Sequence, residues 1–304
     1  MESDLVYAAD IGGTKIDMGI VDDSGKILIR KVASTPAFPL EAVDLIIINY
    51  HYLLGKLNPN KEIKAIGMGA PNIRGGKYGG FFEEKVVHLP EYRNFDLEEK
   101  LKEHFDIPIA IENDADAATF GAFQHFNPQA LPFLYLTVST GTGGGLLIPN
   151  ANNDPVLYRG VNDEHPEFGH MPFSGQCKKG RKKVTIGCGM ENCLDSYVGG
   201  NGILARYGVK PEDADEDIKK EVAINLAKGI YTISLFYGPK VVCLGGGVAI
   251  GWGTKFINLT SYHLHKLHSL SPLMSCPELY ISTLGSDTGL LGAAAVGLMN
   301  TEKR

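Results

Sequence analysis

Short apolar runs alternate with turn-forming clusters along the first third of the chain. Leu5 to Ala9, Lys15 to Val21 and Ile27 to Lys31 predict three successive strands, and Asp22-Asp23-Ser24-Gly25 turns the second into the third. The period then changes: Ala42, Leu45, Ile46, Tyr50, Leu53 and Leu54 recur at helical spacing, predicting a helix over Pro39 to Leu57. Ala65 to Gly69 predicts a buried strand, Leu97 to Phe105 an amphipathic helix, and Ile107 to Ile111 a further strand before the Ala-rich helix Ala115 to Phe126. Hairpin patterning resumes at Phe133 to Val138 and Leu146 to Ile148, followed by a loop-rich insert from Pro149 to about Gly187. Helices are predicted near Asp217–Phe236 and Phe256–His268, a strand over Val241 to Leu244, and an Ala- and Gly-rich last helix from about Thr288 to Met299. Such alternation predicts an α/β protein with helices covering mixed sheets.

Two glycine turns sit at matching places in the two halves. Asp10-Ile-Gly12-Gly13-Thr14-Lys15 and Ser139-Thr140-Gly141-Thr142-Gly143-Gly144-Gly145 each join two strands. Glycines admit close approach of backbone to an anion, and the N–H groups of such turns form a concave anion site. One such hairpin is ordinarily only a tight turn; a matched pair, with an acid before the first, points to nucleotide phosphates. No Gly-Lys-Ser/Thr follows at the spacing of a Walker loop. Leu244-Gly245-Gly246-Gly247-Val248 adds a third glycine loop after a buried strand, suited to a base or ribose.

The remaining composition narrows the class. With 304 residues the chain has room for two cores, and 44% hydrophobic and 21% charged residues are ordinary for a globular protein. The net charge of −6 argues against a nucleic-acid surface; Lys178, Lys179, Arg181, Lys182 and Lys183 read as a solvated loop. Neither a signal-peptide pattern nor an apolar stretch of membrane-spanning length is present, so a cytoplasmic protein is expected. Of the five cysteines, Cys177, Cys188 and Cys193 cluster, which in such a chain suggests metal before disulfide. Cys243 lies in an apolar run and reads as core.

Chemistry concentrates at Glu112-Asn113-Asp114, where a strand ends and a helix opens. Helix capping would account for either Asn113 or Asp114 alone. Together, at the C-terminal end of a strand, they occupy the place where open α/β sheets hold ligands. Asp114 is suited to accept a hydroxyl proton, with Asn113 orienting the same molecule. Asp10, beside a phosphate loop, requires an intervening cation, which a hydrated Mg2+ supplies. Lys15 suits either a phosphate or solvent.

These segments, with Glu167-Phe-Gly-His170 and Cys188-Gly-Met-Glu-Asn-Cys193, occur in an order that resembles the ROK family of bacterial sugar kinases and sugar-responsive repressors. The resemblance covers nearly the whole chain and implies two ribonuclease-H-like domains of the actin-like ATPase superfold around an interdomain cleft. It places a small domain at 1–117 with the C-terminal helix (about 288–304), and a larger one at 118–287 carrying the metal-loop insert. It implies an ATP-dependent hexose kinase acting on a sugar 6-hydroxyl, with glucose as default and fructose, N-acetylmannosamine or N-acetylglucosamine as alternatives. A non-catalytic sugar sensor is a further reading. Asp114 matches the catalytic base; Asn113, Glu167 and His170 match sugar contacts. Gly12, Gly13 and Thr14 match the first phosphate loop, Thr140, Gly141 and Thr142 the second, and Gly246 and Gly247 the adenosine loop. A homodimer is also implied.

The chain departs from that pattern at three places. Ile186 stands where the family has its first zinc cysteine, and Cys177 is the expected replacement, giving His170-x6-Cys177-x10-Cys188-x4-Cys193 as a structural zinc set. Asp195 replaces a sugar-binding glutamate. Val86-Val87-His88-Leu89-Pro90 replaces a segment with a sugar-side asparagine, leaving His88 as the candidate donor or a plain surface residue.

Overall fold

In the computed structural model the described residues are 4–57, 62–74, 80–82, 89–126 and 130–301. They form two compact units: residues 1–127, 159–165 and 286–304, and residues 128–158 with 166–285. The first unit therefore contains the whole helix after Asn113, ten residues past the expected boundary, together with a short segment from the middle of the chain.

In the first unit, β1 (Leu5–Ile11), β2 (Lys15–Asp22) and β3 (Ile27–Ser34) form an antiparallel meander; β4 (Ile63–Ala70) and β7 (Ile109–Asn113) extend it in parallel. The strand order is β3-β2-β1-β4-β7. The short pair β5 (Ile73–Arg74) and β6 (Phe81–Phe82) is separate. Alternation along β1 explains the two layers. Leu5, Tyr7, Ala9 and Ile11 join one buried cluster with α1 (Pro39–Leu54) and α2 (Leu97–Lys102). Tyr7 also donates its hydroxyl to the Ile46 carbonyl at 3.0 Å. Val6 and Ala8 face the other way, onto α8 (Thr288–Thr301). The helix α3 (Asp114–Phe126) lies beside α8.

The second unit repeats the pattern. β8 (Phe133–Val138), β9 (Thr142–Pro149) and β10 (Pro155–Leu157) are antiparallel, β11 (Val241–Gly245) and β12 (Glu278–Ile281) are parallel, and the order is β10-β9-β8-β11-β12. α6 (Glu216–Tyr237) and α7 (Gly247–Leu270) cover it, with α4 (Asp195–Val198) and α5 (Gly200–Tyr207) opening the helical segment. Gly253 breaks α7 with a φ of 65°, so the helix expected from Phe256 is the second part of a longer, kinked one. The doubled five-strand order is the duplicated, mixed α/β architecture expected from the repeated hairpins, and it agrees with the actin-like ATPase superfold that the family resemblance implied.

The apolar, small-residue character of α8 has a packing cause. A Cβ on Gly67 of β4 would meet the Ala293 carbonyl oxygen at 2.0 Å and the Gly297 nitrogen at 2.6 Å. Helix and sheet backbones touch there, with no room for a methyl group. Gly67→Ala is expected to cost about 1–3 kcal/mol or more by overpacking, whereas Gly187→Ala, with nothing within 4 Å of the new methyl, should stay within about 0.5 kcal/mol. Denaturant unfolding of both variants checks this; equal stabilities would contradict the close approach.

Candidate functional site

The first phosphate turn is closed by its own backbone. The Gly12 N–H bonds the Lys15 carbonyl at 2.9 Å, and the Thr35 hydroxyl donates to the Gly12 carbonyl at 2.6 Å. Gly13, Thr14 and Lys15 are exposed. Just before this turn, Asp10 pairs in register with Asp17 of β2 and Gly69 of β4. A Cβ on Gly69 would stand 3.6 Å from Asp10 Oδ1 and 3.7 Å from the Cα of Asp114. The absent side chain thus lets Asp10 and Asp114 sit next to one another.

That proximity costs charge repulsion. Burial, then Asp114 and Asp17, push the Asp10 carboxyl up to about 7, against the pull of Lys15 and Arg30. Arg30 is committed to a clamp: its Nε donates to Asp17 Oδ1 at 2.7 Å and its Nη1 to Asp287 Oδ1 at 2.6 Å. A buried carboxylate among other carboxylates, beside an anion-binding turn, fits a divalent cation. Asp10 is the residue that would hold Mg2+, and Mg2+ would supply charge neutralisation of phosphate there.

Asn113 and Asp114 form the corner between β7 and α3. Asn113 Oδ1 and Asp114 Oδ1 each accept the Ala115 N–H at 2.9 Å, so both are held by the first turn of the helix as caps. Asn113 is buried. The capping reading and the ligand reading are thus compatible, since capping fixes the side chains at the strand end.

In the second unit the other turn closes through Ser139 N–H to the Gly141 carbonyl at 2.8 Å. The start of α5 anchors it from the side: Gly200 and Asn201 N–H groups bond the Ser139 and Thr140 carbonyls, each at 2.8 Å. Gly246 precedes α7 with a φ of 88°, and a Cβ there would meet the Val138 carbonyl oxygen at 2.5 Å. The third glycine loop therefore lies directly on the second phosphate turn. A cavity of about 500 Å3 opens here, lined among others by Thr140, Asn201, Lys219, Gly247 and Trp252. Trp252, the single tryptophan, is fixed by its Nε1–H to the Pro211 carbonyl at 2.9 Å. Sequence reading had no hold on Trp252 or Asn201, although Gly247 and Gly251, four apart, bare one helix face beside Trp252.

Asp195 is buried at the start of α4, and its carboxylate lies 3.5 Å from where a Gly141 side chain would begin. Burial raises its carboxyl above the ordinary range, while the His170 charge and hydrogen bonding from Thr142 act in the opposite direction. His170, Cys188 and Cys193 offer ligand atoms within 4.8 Å of one another. The two sulfurs are 3.7 Å apart. His170 Nδ1 is buried with no hydrogen-bond partner among the described residues, and Nε2 is 3.8 Å from Glu167 Oε2. A buried ring nitrogen without a partner, on a histidine grouped with two thiols, fits a metal ligand. Cys177, expected as the fourth ligand, stands apart: its thiol contacts the Arg181 carbonyl at 3.5 Å and packs against the core. His88 lies outside the described residues.

Residues 6–299 match the ROK family, and the chain belongs to it. A glucokinase of Streptomyces coelicolor is 31% identical over 228 residues, covering 74% of this chain but only 65% of that protein's length. An N-acetylmannosamine kinase of Haemophilus influenzae is 27% identical over 94% of this chain and 93% of its own. Among solved structures, the ROK hexokinase of Thermus thermophilus superposes with a TM-score of 0.81 at 24% identity, over 99% of this chain and all of that one. No described helix is long and apolar enough to cross a membrane.

The Asp10 environment has a consequence for stability. The native carboxyl keeps its proton up to about pH 7, whereas an unfolded aspartate releases it near pH 4. Between those values the native state binds more protons than the unfolded state, so stability contributed by this group falls as pH rises. Asp10→Asn is expected to raise Tm at pH 8, without divalent cations, more than at pH 5. The same increment at both pH values would contradict a raised carboxyl.

Proposed function

We propose that the chain is an ATP-dependent sugar kinase transferring the γ-phosphoryl group to a hexose 6-hydroxyl. The observation that carries this reading is the placement of Asp114 next to Asp10 at the mouth of the first glycine turn. One acid serves the proton and the other the cation. Phosphoryl transfer passes through a loose transition state that asks mostly for positioning and charge neutralisation. Asp114 accepts the hydroxyl proton as the phosphoryl group arrives, and Asn113 orients the sugar. The Gly12–Thr14 and Thr140–Thr142 turns present N–H donors to the phosphates, with Gly246, Gly247 and Trp252 bounding the adenosine. Glu167, His170 and Asp195 supply further sugar contacts. His170, Cys188 and Cys193 would hold zinc, which shapes the loop that carries His170. The enzyme works as a homodimer in the cytoplasm.

Glucose is the first substrate assignment, supported by the glucokinase relative. N-acetylmannosamine is the second reading, supported by a relative that this chain matches along nearly its entire length. Aspartate at position 195 shortens one sugar contact and bears on that choice.

MgATP-dependent ADP formation with glucose, fructose, mannose, N-acetylglucosamine and N-acetylmannosamine tests the reading. Turnover with one sugar is the expected outcome; absence with all would favour a sensor. Asp114→Asn is expected to lower kcat by about 10²–10⁴, while ATP still perturbs Trp252 fluorescence. Undiminished kcat would remove Asp114 from the base role.

Metal analysis of protein purified without chelator is expected to find zinc, and its removal should weaken sugar binding but spare the Trp252 response to ATP. Loss of the nucleotide response with sugar binding intact would contradict the placement of the metal on the sugar side.

A further inference from the structure

Arg159 belongs to no motif, yet it is the centre of a buried acidic cluster in the first unit. Its Nη2 bonds Glu112 Oε2 and stands 3.2 Å from Asp116 Oδ2; its Nε is 3.8 Å from Asp163 Oδ1. Its Nη1 also donates to the Asp163 carbonyl at 3.4 Å. The arginine and glutamate side chains are only 12% and 14% exposed, and the Asp116 carboxylate is fully buried. One guanidinium thus meets three carboxylates. Breaking a buried pair leaves an uncompensated charge.

The placement of those partners is specific. Glu112 is the residue before Asn113 on β7, and Asp116 is two residues beyond Asp114 on α3. The Nη2 end of the guanidinium thus meets both the strand end and the first helical turn, on either side of the Asn113–Asp114 pair. The segment bearing Arg159 is itself closed: Gly160 N–H bonds the Glu164 carbonyl and Asp163 N–H the Gly160 carbonyl, each at 2.9 Å. Asp163 adopts a left-handed φ of 62° to make that turn. Burial, with Asp116 and Asp163, pushes the Glu112 carboxyl up to about 7 against the pull of Arg159.

We propose that Arg159 is a positioning residue that holds the Asn113–Asp114 corner in its reactive geometry by bridging Glu112 and Asp116. This rests on the sugar-kinase reading of the corner. A displaced corner costs turnover because the base must meet the hydroxyl within hydrogen-bond reach.

The test compares Arg159→Met, Arg159→Lys and the doubly substituted Arg159→Met/Glu112→Gln, in which one carboxylate is neutralised so that the fold survives. Each is assayed for kcat, for KM of ATP and of the sugar turned over by the wild type, and for the Trp252 response to ATP. Arg159→Met and the double variant are expected to lose about 10²-fold in kcat with the KM for ATP and the Trp252 response kept. Arg159→Lys, which restores charge but not the fork, should recover part of the loss. Wild-type kcat in a folded Arg159→Met or double variant would overturn the proposal. So would equal losses in kcat and ATP affinity, or no gain with lysine. A wild-type protein inactive on every sugar would overturn the kinase reading and this proposal together.

Discussion

The backbone of α8 lies against β4 and α3 at distances that exclude side chains, and the geometry of the first unit follows from that contact. A Cβ on Gly121 would come within 2.7 Å of the Gly292 nitrogen, and one on Gly292 within 2.5 Å of the Ala117 carbonyl oxygen. Packing at this density transmits small displacements rather than absorbing them. At its N-terminal end the same helix fixes Asp10, since a Cβ on Gly289 would meet Asp10 Oδ2 at 2.0 Å. Asp287, just ahead of the helix, is tied through Arg30 to Asp17, the in-register neighbour of Asp10. The acid at the first glycine turn is thus located by a helix that lies almost three hundred residues away in sequence.

What the scaffold concentrates is negative charge. Asp10, Asp17, Asp114, Glu112 and Asp116 all approach the C-terminal ends of the parallel strands, and Arg30 and Arg159 bond into that group. Both Asp10 and Glu112 are pushed to about 7, each by burial before any neighbour acts. A fold optimised only for stability would not gather carboxylates in this way. Retained destabilisation at one end of a sheet, where neighbouring turns expose N–H groups, is the pattern of a site that expects a cation and an anion together.

Much of this was legible in the chain because it is local. The apolar runs at Leu5 to Ala9 and Phe133 to Val138 and the glycine turns after them predicted the strands on either side, and the Ala- and Gly-rich run from about Thr288 to Met299 predicted the last helix. Short elements escaped. β12 has four residues, α4 four and α5 eight, and none carries enough periods to rise above loop composition. The partners of Glu112 escaped for a different reason: Arg159 is 47 residues away, in the stretch read as a loop-rich insert. Trp252 was likewise unreadable as a cavity wall, because its role depends on the kink at Gly253 and on Pro211. The expected boundary at 117 failed to follow α3 to its end, since the pairing of Gly121 with Gly292 is a tertiary contact with no local signature.

With isoleucine at 186, spacing pointed to Cys177 as a substitute thiolate, yet the loop takes its shape from a cation. Arg206 of α5 is 2% exposed and sends hydrogen bonds to the Arg181 carbonyl at 2.5 Å, the Lys182 carbonyl at 3.2 Å, Asn192 Oδ1 at 3.1 Å and the Ser196 carbonyl at 3.1 Å. Its guanidinium also lies 3.6 Å from the centre of the Tyr197 ring. Both arms of the loop are therefore clamped to one helix through carbonyl oxygens, the acceptors that a planar, weakly hydrated fork serves well. Asn192 adds a second tie, accepting the Val184 N–H at 3.2 Å. A loop held in this manner brings His170, Cys188 and Cys193 together without a fourth thiolate. Because α5 also anchors the second glycine turn through Gly200 and Asn201, the same short helix supports the cysteine loop on one side and the cavity beside Trp252 on the other.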